Sequence, residues 1–295
     1  MTGRVTPLSA DNSAMDVSGH TNGAQAKAAI DLLTRCIERT AADDAMNWLR
    51  QTLREVSVIA DEKKLLRALG LVPRRLGRAD LALTDFDIKD ADALRDGWDL
   101  HGLSVDQAAR VGLVLASYRG DDRAFADTVE SLCRTAEVNE LIAYYRGLAI
   151  FPAPLLLHNR AREGIRSAMT PVFEAVAHRN PFPRTMFDQE AWNQMVLKAL
   201  FIGSRLDPIQ GLDQRANPDL ASTLVDYAHE RWAAGRPVSP ELWRCVGPFA
   251  NQQALDALAR ALDTSDPQER LAVTSALRAC PHPKAREILA RHFRN

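Results

Sequence analysis

The chain has 295 residues, with 37 Lys and Arg residues against 38 Asp and Glu residues and a formal net charge of -1. This length can supply a sizeable hydrophobic core, whereas the balanced charge lacks the basic excess that binding to a phosphate backbone requires. Hydrophobic residues at 46% and charged residues at 25% are ordinary values for a globular chain. We therefore expect a folded, soluble protein that does not bind nucleic acid.

Residues 1–23 are rich in Thr, Ser, Asn and Gly, and they lack the basic segment and apolar core of a secretion signal. This composition predicts a disordered tail on a cytoplasmic protein. No run approaches the roughly 18 apolar residues of a membrane helix, so we expect no membrane span. The four cysteines lie far apart, which is typical of reduced, buried thiols rather than of a zinc site or a disulfide framework.

From residue 24 onward, apolar residues recur every three or four positions, which predicts an almost entirely α-helical fold. The helices predicted in residues 24–150 are Ala24–Arg39, Asp43–Ile59, Asp61–Leu71, Ser104–Tyr118, Asp121–Thr135 and Glu137–Ile150. Pro73 is expected to end the third helix, because a proline disfavours the helical region for the residue before it. Residues 78–99 contain seven aspartates, and their apolar residues favour an extended segment.

The break at Phe151–Pro154 divides the chain into subdomains of residues 24–150 and 151–295, which we expect to form one continuous domain. Helix starts in the second half are predicted at N-cap residues that precede proline or an apolar stripe; these are Asp188, Asn217, Ser239 and Asp266. Residues 250–295 are typical of a HEAT-type helix pair with one further short helix. The predicted fold is all-α, either a HEAT-like helical-repeat array or an irregular helical-hairpin bundle.

Three polar residues, Asp226, His229 and Glu230, share one face of the helix predicted after Asn217, because their spacing is i, i+3 and i+4. A carboxylate beside a histidine suits either an oriented acid-base group or part of a metal site. A di-iron site would need a second copy of this element, which the sequence lacks. The alternative is a solvated or interhelical polar face.

A basic stretch begins at His158 and includes Arg162 and Arg166, whose spacing of four residues lets two guanidinium groups hold a carboxylate or phosphate. Alternatively, these arginines pair with surface acids such as Glu163. On the helix after Asp188, Asn193 and Lys198 project away from the apolar stripe and face the predicted groove. A polar network within the core explains the same pair equally well.

The sequence contains no GxGxxG, P-loop, HExxH or GxSxG motif, so it gives no support for standard nucleotide, zinc-protease or serine-hydrolase chemistry. The aspartates of residues 85–92 lack the glycine and the terminal glutamate of a calcium loop. We therefore expect neither a cofactor nor a bound metal.

Five stretches of the second half together resemble the EboA family. They are HNRA at 158–161, NPFP at 180–183, FDQEAWNQMVLKA at 187–199, GLDQRAN at 211–217 and DYAHERWAAGR at 226–236. The resemblance is close over residues 155–249 and looser in the first half. It implies a role in processing or moving a secondary-metabolite precursor, beside a prenyltransferase, a hydrolase and other proteins of the ebo cluster. It supplies no catalytic residues.

These observations favour a non-catalytic helical protein that binds a small precursor or another ebo-cluster protein in a groove. The predicted groove residues are His158, Arg162, Arg166, Asn193, Lys198, Asp226, His229 and Glu230. The alternative is an enzyme that uses His229 as general acid or base, oriented by Asp226. A third hypothesis is a homodimer whose interface contains the tryptophans Trp192, Trp232 and Trp243.

Overall fold

The structure is a computed structural model that describes the backbone of residues 12–292 and the side chains of residues 21–292. Within this part of the chain there are seventeen α-helices, one short 3-10 helix and no β-strand, as the sequence pattern predicts. None of the described helices is long and apolar enough to cross a membrane. The described residues form two compact units, of which the first ends at Phe182 and the second begins at Pro183.

The first unit contains nine helices, one of which is buried at the centre of the other eight. They are α1 (Asn12–Glu38), α2 (Asp43–Val58), α3 (Glu62–Leu76), α4 (Asp85–Leu94), α5 (Val105–Ala116), α6 (Asp122–Thr135), α7 (Val138–Gly147), α8 (His158–Arg166) and α9 (Thr170–Ala177). All of α5 except Gln107 is buried, and α5 packs against α1, α2, α3 and α7. A helix that is buried on nearly every side belongs at the centre of such a bundle.

Three features of the first unit differ from the sequence prediction. Helix α1 begins at Asn12, so residues 12–23 of the predicted tail are helical, because extending a helix upstream costs less than nucleating one. Residues 1–11 lie outside the described residues. Helix α3 runs through Pro73 to the buried Leu76 and ends at Gly77, whose φ is 77°.

Residues 85–94 form the helix α4, whereas the sequence favoured an extended segment. The reason is a capping box at Thr84. Its hydroxyl accepts a bond from the Asp87 N–H, and the Asp87 carboxylate accepts one from the Thr84 N–H. The aspartates of this segment therefore include the group that starts a helix.

Eight further helices follow the nine of the first unit. The short helix α10 (Phe182–Met186) begins at the last residue of the first unit, and the others are α11 (Gln189–Phe201), α12 (Leu212–Arg215), α13 (Pro218–Ala233), α14 (Leu242–Val246), α15 (Gln252–Leu262), α16 (Pro267–Ala279) and α17 (Pro283–His292). A 3-10 helix, Gly247–Phe249, follows α14. Helix α15 packs against α16 and α13, and α14 packs against α13 and α16. A HEAT-type repeat stays a prediction.

The predicted N-caps of the second unit form at three of four positions. Asp188, Asn217 and Asp266 each accept a bond from a backbone N–H in the first turn of their helix. Ser239 does not cap a helix: its carbonyl accepts a turn bond from the Leu242 N–H, and α14 begins only at Leu242. The Ser239 carbonyl and the Leu242 N–H are thus bonded to each other in a turn that precedes the helix. The Ser-Pro pair therefore marks a turn here.

Arg215 holds the start of the second unit together. Its Nη1 donates to the carbonyl oxygens of Pro183, Arg184 and Phe187, at 3.3, 3.1 and 2.8 Å. Its guanidinium lies 4.8 Å from the ring centroid of the fully buried Trp192. The Arg215 side chain therefore links the segment between α10 and α11 to the buried Trp192 of α11.

Replacing Arg215 with alanine is expected to lower the free energy of unfolding by about 2 kcal/mol, because three carbonyl groups each lose a hydrogen bond and the tryptophan loses its cation partner. Urea denaturation followed by circular dichroism measures this change. The exposed Arg236, substituted with alanine, is the matched control and should change stability by less than about 0.5 kcal/mol. Equal effects of the two substitutions would contradict the assignment.

The cysteines and two of the tryptophans belong to the core. All four cysteines are free and buried, as predicted, and burial raises the pKa of Cys36 to about 11 and that of Cys245 to about 12. Trp192 and Trp243 are 0% exposed, so they are core residues rather than anchors of a dimer interface.

Candidate functional site

An apolar cleft with a charged rim lies within the second unit, beside α14 and α16. It encloses about 540 Å³, which falls within the range of small-molecule sites. Small alanines and prolines form its apolar surface; they are Ala216, Pro240, Pro248, Ala272, Ala276 and Ala279. We call this the α14–α16 cleft.

Beside the cleft, α16 and the 3-10 helix approach each other closely. A Cβ atom on Gly247 would lie 2.4 Å from the carbonyl oxygen of Ala276 and 2.7 Å from its Cα atom. Only glycine fits at residue 247, because those atoms are backbone and have no rotamer to change. Backbone therefore packs on backbone here, and the alanines of α16 leave open space along the cleft.

A two-point ion pair lies at the rim. Arg244 Nε and Nη2 each donate to an oxygen of Asp213, both at 2.6 Å, and Arg244 Nη1 lies 3.6 Å from Asp207 Oδ1. These bonds lower the pKa of Asp213 and raise that of Arg244. Both groups are thus charged at neutral pH, and they connect α12 to α14 across one edge of the opening.

Glu241 contributes the second polar edge. One of its oxygens accepts a bond of 2.5 Å from the Leu206 N–H, and the other lies 3.6 Å from Arg205 Nε. The carboxylate that faces the cleft is therefore already occupied by a backbone donor. It forms part of the edge of the opening.

One hydroxyl group lines the cleft, and it is hydrogen-bonded within α16. This group, Ser275 Oγ, donates to the Leu271 carbonyl at 2.9 Å. A serine nucleophile would instead need a base within hydrogen-bond distance. The rest of the cleft is an apolar surface with fixed charged groups at one rim. This is the usual composition of a ligand pocket.

The predicted groove residues of the first unit lie on α8. His158 is the first residue of this helix, and both His158 and Arg162 are half-buried. Arg166 Nη1 donates to Glu163 Oε1 at 2.9 Å, which is the alternative pairing considered for this arginine. In the same helix Arg160, which the prediction omitted, binds Glu130 through two nitrogens.

The predicted residues of α11 have different surroundings. Asn193 and Asn217 exchange two amide hydrogen bonds, at 3.3 and 2.9 Å, so Asn193 supports the N-cap of α13. Lys198 is half-buried, and burial lowers the pKa of its ammonium group. Asn193 also lines a hollow of about 410 Å³ between α11 and the start of α13.

The predicted acid-base pair lies on α13. The Asp226 carboxylate accepts a bond of 3.2 Å from Gln253 of α15, and the His229 ring meets the Trp232 ring edge to face at 5.4 Å. Within the described side chains, no hydrogen bond or ion pair joins Asp226, His229 and Glu230. Among the described residues there is also no group of three His, Cys, Asp or Glu side chains placed to hold a metal ion.

The α14–α16 cleft was not predicted from the sequence. Its signal is the spacing of small residues at 272, 276 and 279, one face of α16, together with Gly247. Alanines at helical spacing are typical of any close helix contact, so this pattern alone does not separate an open cleft from a closed interface.

The comparisons with known proteins give one match. A family model described as "Metabolite traffic protein EboA" matches residues 29–247. None of the curated proteins and none of the solved structures compared matches the chain.

Proposed function

Since the chain belongs to the EboA family of metabolite traffic proteins, we propose that it is a non-catalytic carrier that binds an apolar metabolite in the α14–α16 cleft. The observation that carries this proposal is the cleft itself: about 540 Å³ with a surface of alanine and proline. A neutral ligand gains free energy by burying apolar area there, roughly 25 cal/mol for each Å².

The fixed rim gives the proposed site its selectivity. Arg244 and Asp213 neutralise each other and are bonded at two points, so a ligand with an unpaired charge gains little at this edge. A neutral hydroxyl or carbonyl group on an otherwise apolar skeleton is the best match. In this proposal the protein acts in the cytoplasm on a secondary-metabolite precursor and passes it to other ebo-cluster proteins.

Filling the cleft should remove binding without unfolding the protein. The double variant Ala272→Leu/Ala279→Leu places two larger side chains on the partly exposed face of α16. We expect its affinity for the neutral dye Nile red to fall at least about tenfold, a loss of about 1.4 kcal/mol, with an unchanged melting temperature. Fluorescence titration measures the affinity, and Ala290→Leu on the exposed surface of α17 is the control.

The alternative ligand surface is the α13 face that contains the predicted residues Asp226 and His229. The same dye titration distinguishes this face from the α14–α16 cleft. If the ligand occupies the α14–α16 cleft, the double variant Asp226→Ala/His229→Ala binds the dye as the unmodified protein does. If this variant loses binding and the filled-cleft variant keeps it, the ligand lies at the α13 face and the proposal is wrong.

A further inference from the structure

Two arginines of the first unit converge on one glycine, far along the chain from the α14–α16 cleft. Arg146 is in the last turn of α7, and Arg179 follows α9. Their Nη1 atoms lie 3.8 and 3.4 Å from the position that a Cβ atom would take on Gly102. Residue 102 has no side chain, so no atom of its own occupies that position beside the two guanidinium groups.

The backbone at Arg179 is in an unfavourable conformation. Its φ is 51°, in the left-handed region, and at such a position after a helix the usual residue is glycine. The next residue holds this conformation in place: Asn180 donates to the carbonyls of Tyr145 and Ala175 and accepts a bond from the Phe182 N–H. An arginine here costs stability and places a guanidinium group beside Gly102.

The cluster has more positive than negative charge. Asp99 is the carboxylate near it, 3.8 Å from Arg179 Nε, and its other oxygen binds the backbone N–H and the ring of His101, at 2.8 and 2.6 Å. Among the described residues, Arg146 makes one side-chain hydrogen bond, to the His101 carbonyl at 2.7 Å. Several N–H donors of both arginines therefore have no acceptor in the described part of the chain.

Burial makes this arrangement costly without an anion. It lowers the pKa of Arg146 to about 10; Asp99 opposes that shift and Arg179 adds to it. Arg146 is half-buried, whereas the Arg179 side chain is 48% exposed. An oxyanion between two such like charges stabilises both, and the forked guanidinium group suits such a partner.

We propose that Arg146 and Arg179, together with the open position at Gly102, form a binding site for an oxyanion of the phosphate or carboxylate class. The ligand oxygens accept hydrogen bonds from the Nη1 atoms of both arginines, and Asp99 competes with the ligand for Arg179. This site is separate from the α14–α16 cleft and does not depend on the carrier proposal.

Isothermal titration calorimetry of the whole chain with inorganic phosphate and, separately, with acetate tests the proposal. We expect heat of binding with at least one anion, and the tighter of the two distinguishes a phosphate from a carboxylate ligand. Arg179→Asn, a residue that tolerates the left-handed region, should weaken binding at least tenfold and keep the melting temperature. Arg134→Gln removes an exposed arginine of α6 and is the control.

Two further variants separate binding from folding. Arg179→Gly should melt at the same temperature as the unmodified protein or higher, and it should still fail to bind. Asp99→Asn should bind the anion severalfold more tightly, because the competing charge is gone while an oxygen remains for the His101 N–H. Absence of binding with both anions, or equal affinity in the Arg179→Asn variant, would overturn the proposal.

Discussion

Substituting alanine for Gly247 is expected to lower the free energy of unfolding by about 3 kcal/mol, the upper end of the usual cost of overpacking. The added Cβ would lie 2.4 Å from the Ala276 carbonyl oxygen and 2.9 Å from its carbonyl carbon. Neither atom can rotate away, so α16 must move as a whole. Urea denaturation measures the loss, and dye binding to the α14–α16 cleft should fall with it.

Gly70 supplies the matched control for this substitution. It lies in α3, is exposed, and has no atom within 4 Å of the position of an added Cβ. Alanine is the better helix former by about 1 kcal/mol, so Gly70→Ala should stabilise the protein. If both substitutions changed stability in the same direction, the close approach at Gly247 would not explain the first result.

Removing the Asp87 carboxylate should also cost about 3 kcal/mol, typical of breaking a buried ion pair. The Asp87 side chain is 1% exposed. It accepts two bonds from Arg39, at 2.6 and 3.0 Å, and two from Thr84, at 2.8 and 2.6 Å. Asp87→Ala therefore leaves a guanidinium group and the start of α4 without their acceptor. Urea denaturation at neutral pH measures the effect.

Asp90 of the same helix is the control for this variant. Its carboxylate pairs with Arg35 on the surface, where the two side chains are 53% and 51% exposed. Exposed pairs contribute little because water and salt screen them. Asp90→Ala should therefore change stability by less than about 1 kcal/mol, and a loss equal to that of Asp87→Ala would contradict the account.

The stabilisation by Asp87 should depend on pH with a definite sign. Its bonds to Arg39, and next those to Thr84, hold the pKa of the carboxyl group well below its usual value. A lowered pKa contributes stability above the value of the unfolded chain, about 3.9, and the contribution disappears as pH falls through the folded value. The stability difference between the unmodified protein and Asp87→Asn should thus be largest above about pH 5 and shrink below pH 4.

Local signals explain how much of the fold was predictable. Asp121, Asp188, Asn217 and Asp266 cap the helices predicted after them, because a cap needs only its own side chain and the next few backbone groups. A capping box also starts α4 at Thr84, where the third helical residue is Asp87 instead of the usual Glu or Gln. Pro73 does not end α3, because the helix has a buried residue, Leu76, beyond the proline.

The candidate sites depend on contacts between residues that are far apart in the sequence. The cleft brings together residues 213, 244 and 276, and the arginine cluster brings together residues 102, 146 and 179. No periodicity or spacing encodes such contacts. Conversely, several motif residues that suggested a ligand are bound internally: Asn193 pairs with Asn217, and Asp226 accepts a bond from Gln253.

Native mass spectrometry of the protein isolated from cells that express its pathway is the most direct test of the carrier proposal. The denatured mass of the same sample gives the covalent reference, and Ala272→Leu/Ala279→Leu isolated in the same way gives the control. The account predicts a non-covalent adduct of a neutral, mainly apolar molecule on the unmodified protein and its absence from the filled-cleft variant. A bare mass for both proteins, or the same adduct on both, would contradict it.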